Sequence, residues 1–293
     1  MAVFFRKCPV TFIDCIRIDI KDFISIPMYK NVFWITILSF AGYFLIDELY
    51  FHEIRRALND VINQAGVSQL ITYTLVGIPI FAGTYLLHRK TGFFESLGLK
   101  RSILTGLFFA LVCTVPMFFL YMIFYDFNTE ITLNKILIIG LAAGFFEELY
   151  YRGFLYGFLY RYTRVGFILA ALVAALLVAI LLIFTGSDAG EIILIFLITF
   201  FSCLIYGWVY TEWDHNLWVP VFLHIFINIS WEMFAIEKHE MGGSYATLIR
   251  LATVILMVGL TIISKRRKGS PLDIRRGKWF MKKKENVPAT DPA

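Results

Sequence analysis

The 293 residues are 59% hydrophobic and 17% charged, with a mean hydropathy of +0.71. A soluble domain is nearer about 45–50% apolar and about 25% charged, so that class is excluded and a membrane protein is left. The net charge of +5 is concentrated in the C-terminal tail and does not indicate nucleic-acid binding.

Residues 1–31 read as a cytoplasmic or interfacial segment. Ile16-Arg17-Ile18-Asp19-Ile20-Lys21 alternates with period two, while the wider segment also suits a helix lying on the membrane; both readings stay open. Arg6, Lys7, Asp14, Arg17, Asp19, Lys21 and Asp22 interrupt any apolar core that a cleavable signal would need. Residues 32–264 form the transmembrane domain. Apolar runs lie at about 32–51, 69–88, 102–125, 135–160, 165–185, 190–210, 217–236 and 246–264, each long enough to cross about 30 Å of hydrocarbon. The expected fold is therefore all-α, a polytopic bundle of about eight transmembrane helices. Pro79 and Pro116 fall inside two runs, as packed membrane helices tolerate. Cys8, Cys15, Cys113 and Cys203 form no CxxC pair and read as small apolar fillers.

Arg and Lys residues assign the sides. Residues 1–31, the loop with Arg89, Lys90, Lys100 and Arg101, the loop with Arg161 and Arg164, and the basic stretch 265–293 fall on one side of an even number of spans. Both termini are then cytoplasmic, in a multi-pass protein of the cell membrane. His215, beside Glu212 and Asp214 in a short loop, reads as a surface residue. The tail also suits attachment to anionic lipid, with Trp279 and Phe280 inside the basic run.

The run 135–160 carries Glu147, Glu148 and Arg152. A charge in lipid costs about 2.5–3.5 kcal/mol, so bare charges there are rare and usually functional. At the helical pitch Glu148 and Arg152 (i, i+4) pair on one face, and Glu147 points about 100° away. A pair that only locks helices together explains Glu148 and Arg152 but not Glu147. In the run 217–236, His224 and Asn228 share a face, and Glu232 continues the stripe.

Glu-Glu-x-x-x-Arg followed by His-x-x-x-Asn, with Arg152-Gly153-Phe154-Leu155 and Leu217-Trp218-Val219-Pro220 beside them, resembles the CAAX protease and bacteriocin-processing (CPBP) family over about residues 100–236. The resemblance implies an intramembrane endopeptidase that hydrolyses membrane-associated or lipidated peptides with an activated water. By that resemblance Glu147 takes a proton from water, Glu148 and Arg152 orient, and His224 and Asn228 donate to the oxyanion. The family's Phe-x-x-x-His motif has no counterpart: Val173 to Phe184 contains no histidine, so its glutamate–histidine pair is half present. A divalent metal such as zinc has Glu147 and His224 as candidate ligands, with Asn228 or Glu232 as the third. Glu232 is also a candidate substitute for the missing histidine. Two non-proteolytic readings accompany this one. A catalytically impaired pseudoprotease would act as a membrane scaffold or regulator. A transporter would also hold such residues at depth, but the matching interrupted half-helices of that class do not appear.

Overall fold

A computed structural model describes residues 27–185, 189–234, 236, 243–274 and 276–282. The interfacial reading of residues 1–26, with Cys8 and Cys15, lies outside them. Each of the eight apolar runs is helical. The helices are α1 (Pro27–Ile62), α2 (Ala65–Val76), α3 (Ile78–Ser96), α4 (Ile103–Phe124), a continuous rod α5 over residues 133–162, α6 (Phe167–Thr185), α7 (Ala189–Glu212), α8 (Trp218–Met233) and α9 (Gly243–Arg267). Among the described residues four helices are long and apolar enough to cross a membrane by themselves, and the bent pair α2–α3 makes a fifth.

Two boundaries differ from the sequence reading. The run 32–51 is the first part of a helix that continues to Ile62, because nothing between Phe51 and Ile62 breaks it. It stops at Asn63, whose φ of 54° is the left-handed conformation that ends helices. The run 69–88 is two helices meeting at 46°, with the break at Gly77 and Pro79 in the first turn of α3. A Cβ at Gly77 would collide with the Tyr150 hydroxyl, which donates to the Tyr73 carbonyl at 2.6 Å. The bend therefore serves contact with α5. Pro116 sits within an unbroken α4.

α5 is the centre of the bundle. It packs against α1, α2, α3, α6, α7 and α8. Its Tyr150, Phe154, Leu155, Tyr156, Phe158 and Leu159 are fully buried, as a helix apolar on all sides requires. Cys113 and Cys203 are free thiols buried in the apolar core.

The basic loops gather at one end. Leu217 N–H donates to Gly98 O, and Asn216 Nδ2 to Ser102 O. The tail folds back on this end. Gly166 and Ile168 N–H, at the start of α6, donate to the carbonyls of Phe280 and Trp279 at 2.6 and 2.8 Å. Glu212 accepts from the backbone N–H groups of Asp273 and Ile274, and Lys265 joins Glu212 and Asp273. Lys282 is buried against the Tyr160 ring and carbonyl, and burial with Lys278 nearby lowers its pKa to about 7. His215 is not the surface residue its neighbours suggested. It is half-buried against Tyr210, and burial, with Arg161 and Arg101 nearby, holds its pKa well below the ordinary imidazole value.

Candidate active site

The motif helix is not a plain α-helix. Ile136–Ala143 and Glu148–Tyr156 are wound as π-helix, with an α-turn Gly144–Glu147 between them. Such wide turns are uncommon and cluster at functional sites. The pairing of Glu148 with Arg152 survives the change of pitch: Nη1 of Arg152 lies 3.1 Å from Oε1 of Glu148. Nη2 of Arg152 donates to Ser202 of α7, and its guanidinium lies 5.2 Å from the Tyr206 ring centroid. The Glu148 side chain is fully buried and that of Arg152 is 5% exposed, so this pair is dry.

Glycines let α8 reach it. A Cβ at Gly140 would meet Ile229 at 2.7 Å, and one at Gly144 would meet Ile225 at 2.6 Å and its backbone N at 3.0 Å. Gly140 and Gly144 are one turn apart, as are Ile225 and Ile229, so two isoleucine ridges seat in a small-residue groove. This close approach carries His224, next to Ile225, onto the acidic pair. Nδ1 of His224 is 2.9 Å from Oε1 of Glu148, and Nε2 is 3.8 Å from Oε2 of Glu147. The Glu147–His224 separation exceeds a direct hydrogen bond. Asn228 joins the same wall, but its Nδ2 donates to the Ile139 carbonyl at 3.0 Å, which leaves one amide N–H uncommitted there.

Glu147 faces the other way from Glu148. Its side chain is 41% exposed, onto a cavity of about 300 Å³. Tyr43, Asp47 and Glu48 of α1, Tyr73 of α2, and Tyr151 and Arg152 of α5 share that lining. Val178 and Leu182 supply the wall from α6. α6 thus offers only carbon to the cavity.

Among the described residues no three His, Cys, Asp or Glu side chains come together as a metal set. Glu147 and Nε2 of His224 make two ligands, one short of the three that catalytic zinc usually takes. Glu232 does not complete them. Its carboxylate lies 3.4 Å from Lys135 at the start of α5, and its backbone carbonyl accepts from Asn128. The helical stripe places Glu232 in line with His224, and the structure gives it Lys135 as its partner.

The sequence reading did not single out Asp47, Tyr43, Tyr73, Ser202 or Tyr206. Asp47 had a signal of its own, a carboxylate at the end of an apolar run. It reads as a headgroup-level charge until the helix is seen to continue for fifteen more residues, to Ile62.

Comparison with known families adds one finding. Residues 128–230, which contain both motifs, match the family described as Type II CAAX prenyl endopeptidase Rce1-like. No curated protein and no solved structure matches the chain.

Proposed function

We propose, from the premise that residues 128–230 belong to the Rce1-like, CAAX-protease (CPBP) family, that this chain is an intramembrane endopeptidase in which Glu147 activates a water. The observation that carries the reading is the pairing of opposites at one imidazole. His224 is fixed through Nδ1 by dry Glu148, and its Nε2 is turned toward Glu147, which is open to the cavity. A fixed ring beside a reachable carboxylate is the arrangement that hydrolysis by an activated water needs.

In this reading Glu147 accepts a proton as the water oxygen bonds to the scissile carbonyl carbon. The negative charge that develops on the carbonyl oxygen needs donors. With Nδ1–H given to Glu148, His224 donates from Nε2 only as the imidazolium; the uncommitted N–H of Asn228 is the second donor. Arg152 holds Glu148 and so holds the ring. Substrates are membrane-associated or lipidated peptides, and the end that gathers the basic loops faces the cytoplasm of a cell membrane.

The apolar wall of Val178 and Leu182 favours the second reading, a pseudoprotease that holds membrane partners without cutting them. One comparison separates the two. Purified protein in detergent or proteoliposomes is given lipidated and hydrophobic peptides beside E147A. Cleavage that disappears in E147A, with an unchanged melting temperature, supports the enzyme. No cleavage by either protein overturns it in favour of the scaffold.

A further inference from the structure

The acidic side chains buried in the bundle have cationic partners. Glu148 has Arg152, Glu212 has Lys265, and Glu232 has Lys135. Asp47 has none among the described residues. Its Oδ1 is enclosed by protein and receives no hydrogen bond. Yet it sits in a helix that passes the length and hydropathy test for a membrane span, where an unpaired carboxylate facing lipid costs about 2.5–3.5 kcal/mol. It faces the cavity instead, with Tyr43 one turn before it on α1 and Glu147 in the same lining. A carboxylate kept at such a place without a partner has water or substrate as its remaining contact.

The opposite wall says what is lacking. Hydrolysis of an amide needs a group that protonates the leaving nitrogen as well as one that deprotonates water. Glu147 serves the second. α6 contributes Val178 and Leu182 and no proton carrier. Arg152 and Glu148 are committed to each other, and His224 is turned to the acidic pair.

We propose that Asp47 is the second carboxylate of this site, carrying the proton that the leaving nitrogen takes. The inference rests on the endopeptidase reading. Water gives one proton to Glu147 while its oxygen bonds to the carbonyl carbon. The C–N bond then breaks with its electron pair on nitrogen, and Asp47 in its acid form gives that nitrogen a proton. Asp47 leaves the step as carboxylate and Glu147 as acid, and a cavity water returns the proton from one to the other. Peptide and water become acid and amine, with no other reactant.

The test is a kinetic series in proteoliposomes with the full chain: wild type, D47N, D47E, E147Q and, as control on the same helix, D60N, whose side chain is exposed. D47N is expected to lower kcat by about 100-fold or more, the size of general acid catalysis, with KM changed less than about threefold. D47E recovers part of that loss and D60N keeps the full rate. The alkaline side of the wild-type pH profile falls where Asp47 loses the proton it must donate and where the His224 imidazolium loses its own; in D47N the Asp47 contribution is gone and only the His224 limb is left. The other ionisable groups in the lining are Tyr43 and Glu48 on α1, Tyr73 on α2, and Glu147, Tyr151 and Arg152 on α5; the α6 and α7 residues of the lining add none. All of these are unchanged in D47N. A D47N rate within about threefold of wild type, with E147Q inactive, overturns the role of Asp47 and leaves the endopeptidase standing. A wild type that cleaves nothing overturns the endopeptidase reading and this one with it. If D47N melts well below D60N, D47E decides: a recovered rate supports the role, and a folded but inactive D47E overturns it.

Discussion

Glu147 and Glu148 are adjacent in sequence and lie in different media. Glu148 is sealed among Arg152, His224 and the π-helical turns of α5. Glu147 opens on a cavity that it shares with Asp47 and Glu48. The dry side fixes geometry and the wet side offers a reactive group. Neighbouring carboxylates can thus divide two tasks because a helix turns about 100° between them.

Exchanging the character of the two sides gives the largest effect. E147Q is expected to reduce cleavage by about 10³-fold, within the range for loss of a general base, while its melting temperature stays near wild type because Glu147 holds no buried pair together. Replacing a partner on the dry side acts on stability. Glu148→Ala or Arg152→Ala leaves a buried charge uncompensated, at about 3–5 kcal/mol. Chemical unfolding of the two variants beside E147Q measures that contrast. Equal losses of stability in all three would erase the distinction.

G144A sharpens the comparison at its hinge. The added methyl meets Ile225 at 2.6 Å, so α8 must move and His224 moves with it. Overpacking of this kind costs about 1–3 kcal/mol, and a displaced ring costs more in rate than in stability. Cleavage is expected to fall by at least about tenfold while the protein still folds. A G144A enzyme with normal rate would separate the glycine groove from the site.

The smallest effect lies at the basic end. Lys282 in the docked tail has its pKa lowered to about 7 from the ordinary 10.5. Between these values the free tail binds more protons than the docked one, so docking strengthens as pH rises through that window and weakens toward pH 7. Hydrogen-exchange protection of the Ile168 amide, which the Trp279 carbonyl holds, reports it. After correction for intrinsic exchange, protection should rise from pH 7 to pH 10. A flat profile would remove Lys282 from the docking equilibrium.

The bundle was legible because each long apolar run becomes a helix, though only four helices and one bent pair are long and apolar enough to cross a membrane among the described residues. The motif residues were legible because a charge in such a run needs a reason. Other features depend on contacts between distant segments. The break at Gly77 answers to Tyr150, Glu212 is bonded by a tail that returns from beyond residue 270, and His215 packs on Tyr210. Glu232 fits the helical stripe of His224, and only the position of Lys135 reveals that it belongs elsewhere. Asp47 was hidden by the charges after it, Glu48, Glu53, Arg55 and Arg56, which make the helix look finished. The π-turns leave no mark in composition at all.

The division between the two glutamates can be read directly on the unmodified protein. Treatment in proteoliposomes with a water-soluble carbodiimide and an added polar amine, followed by peptide mapping, labels the carboxyl groups that solvent reaches. The account predicts adducts on Glu147 and none on Glu148. Adducts on Glu148 at the level of Glu147, or on neither, would contradict it.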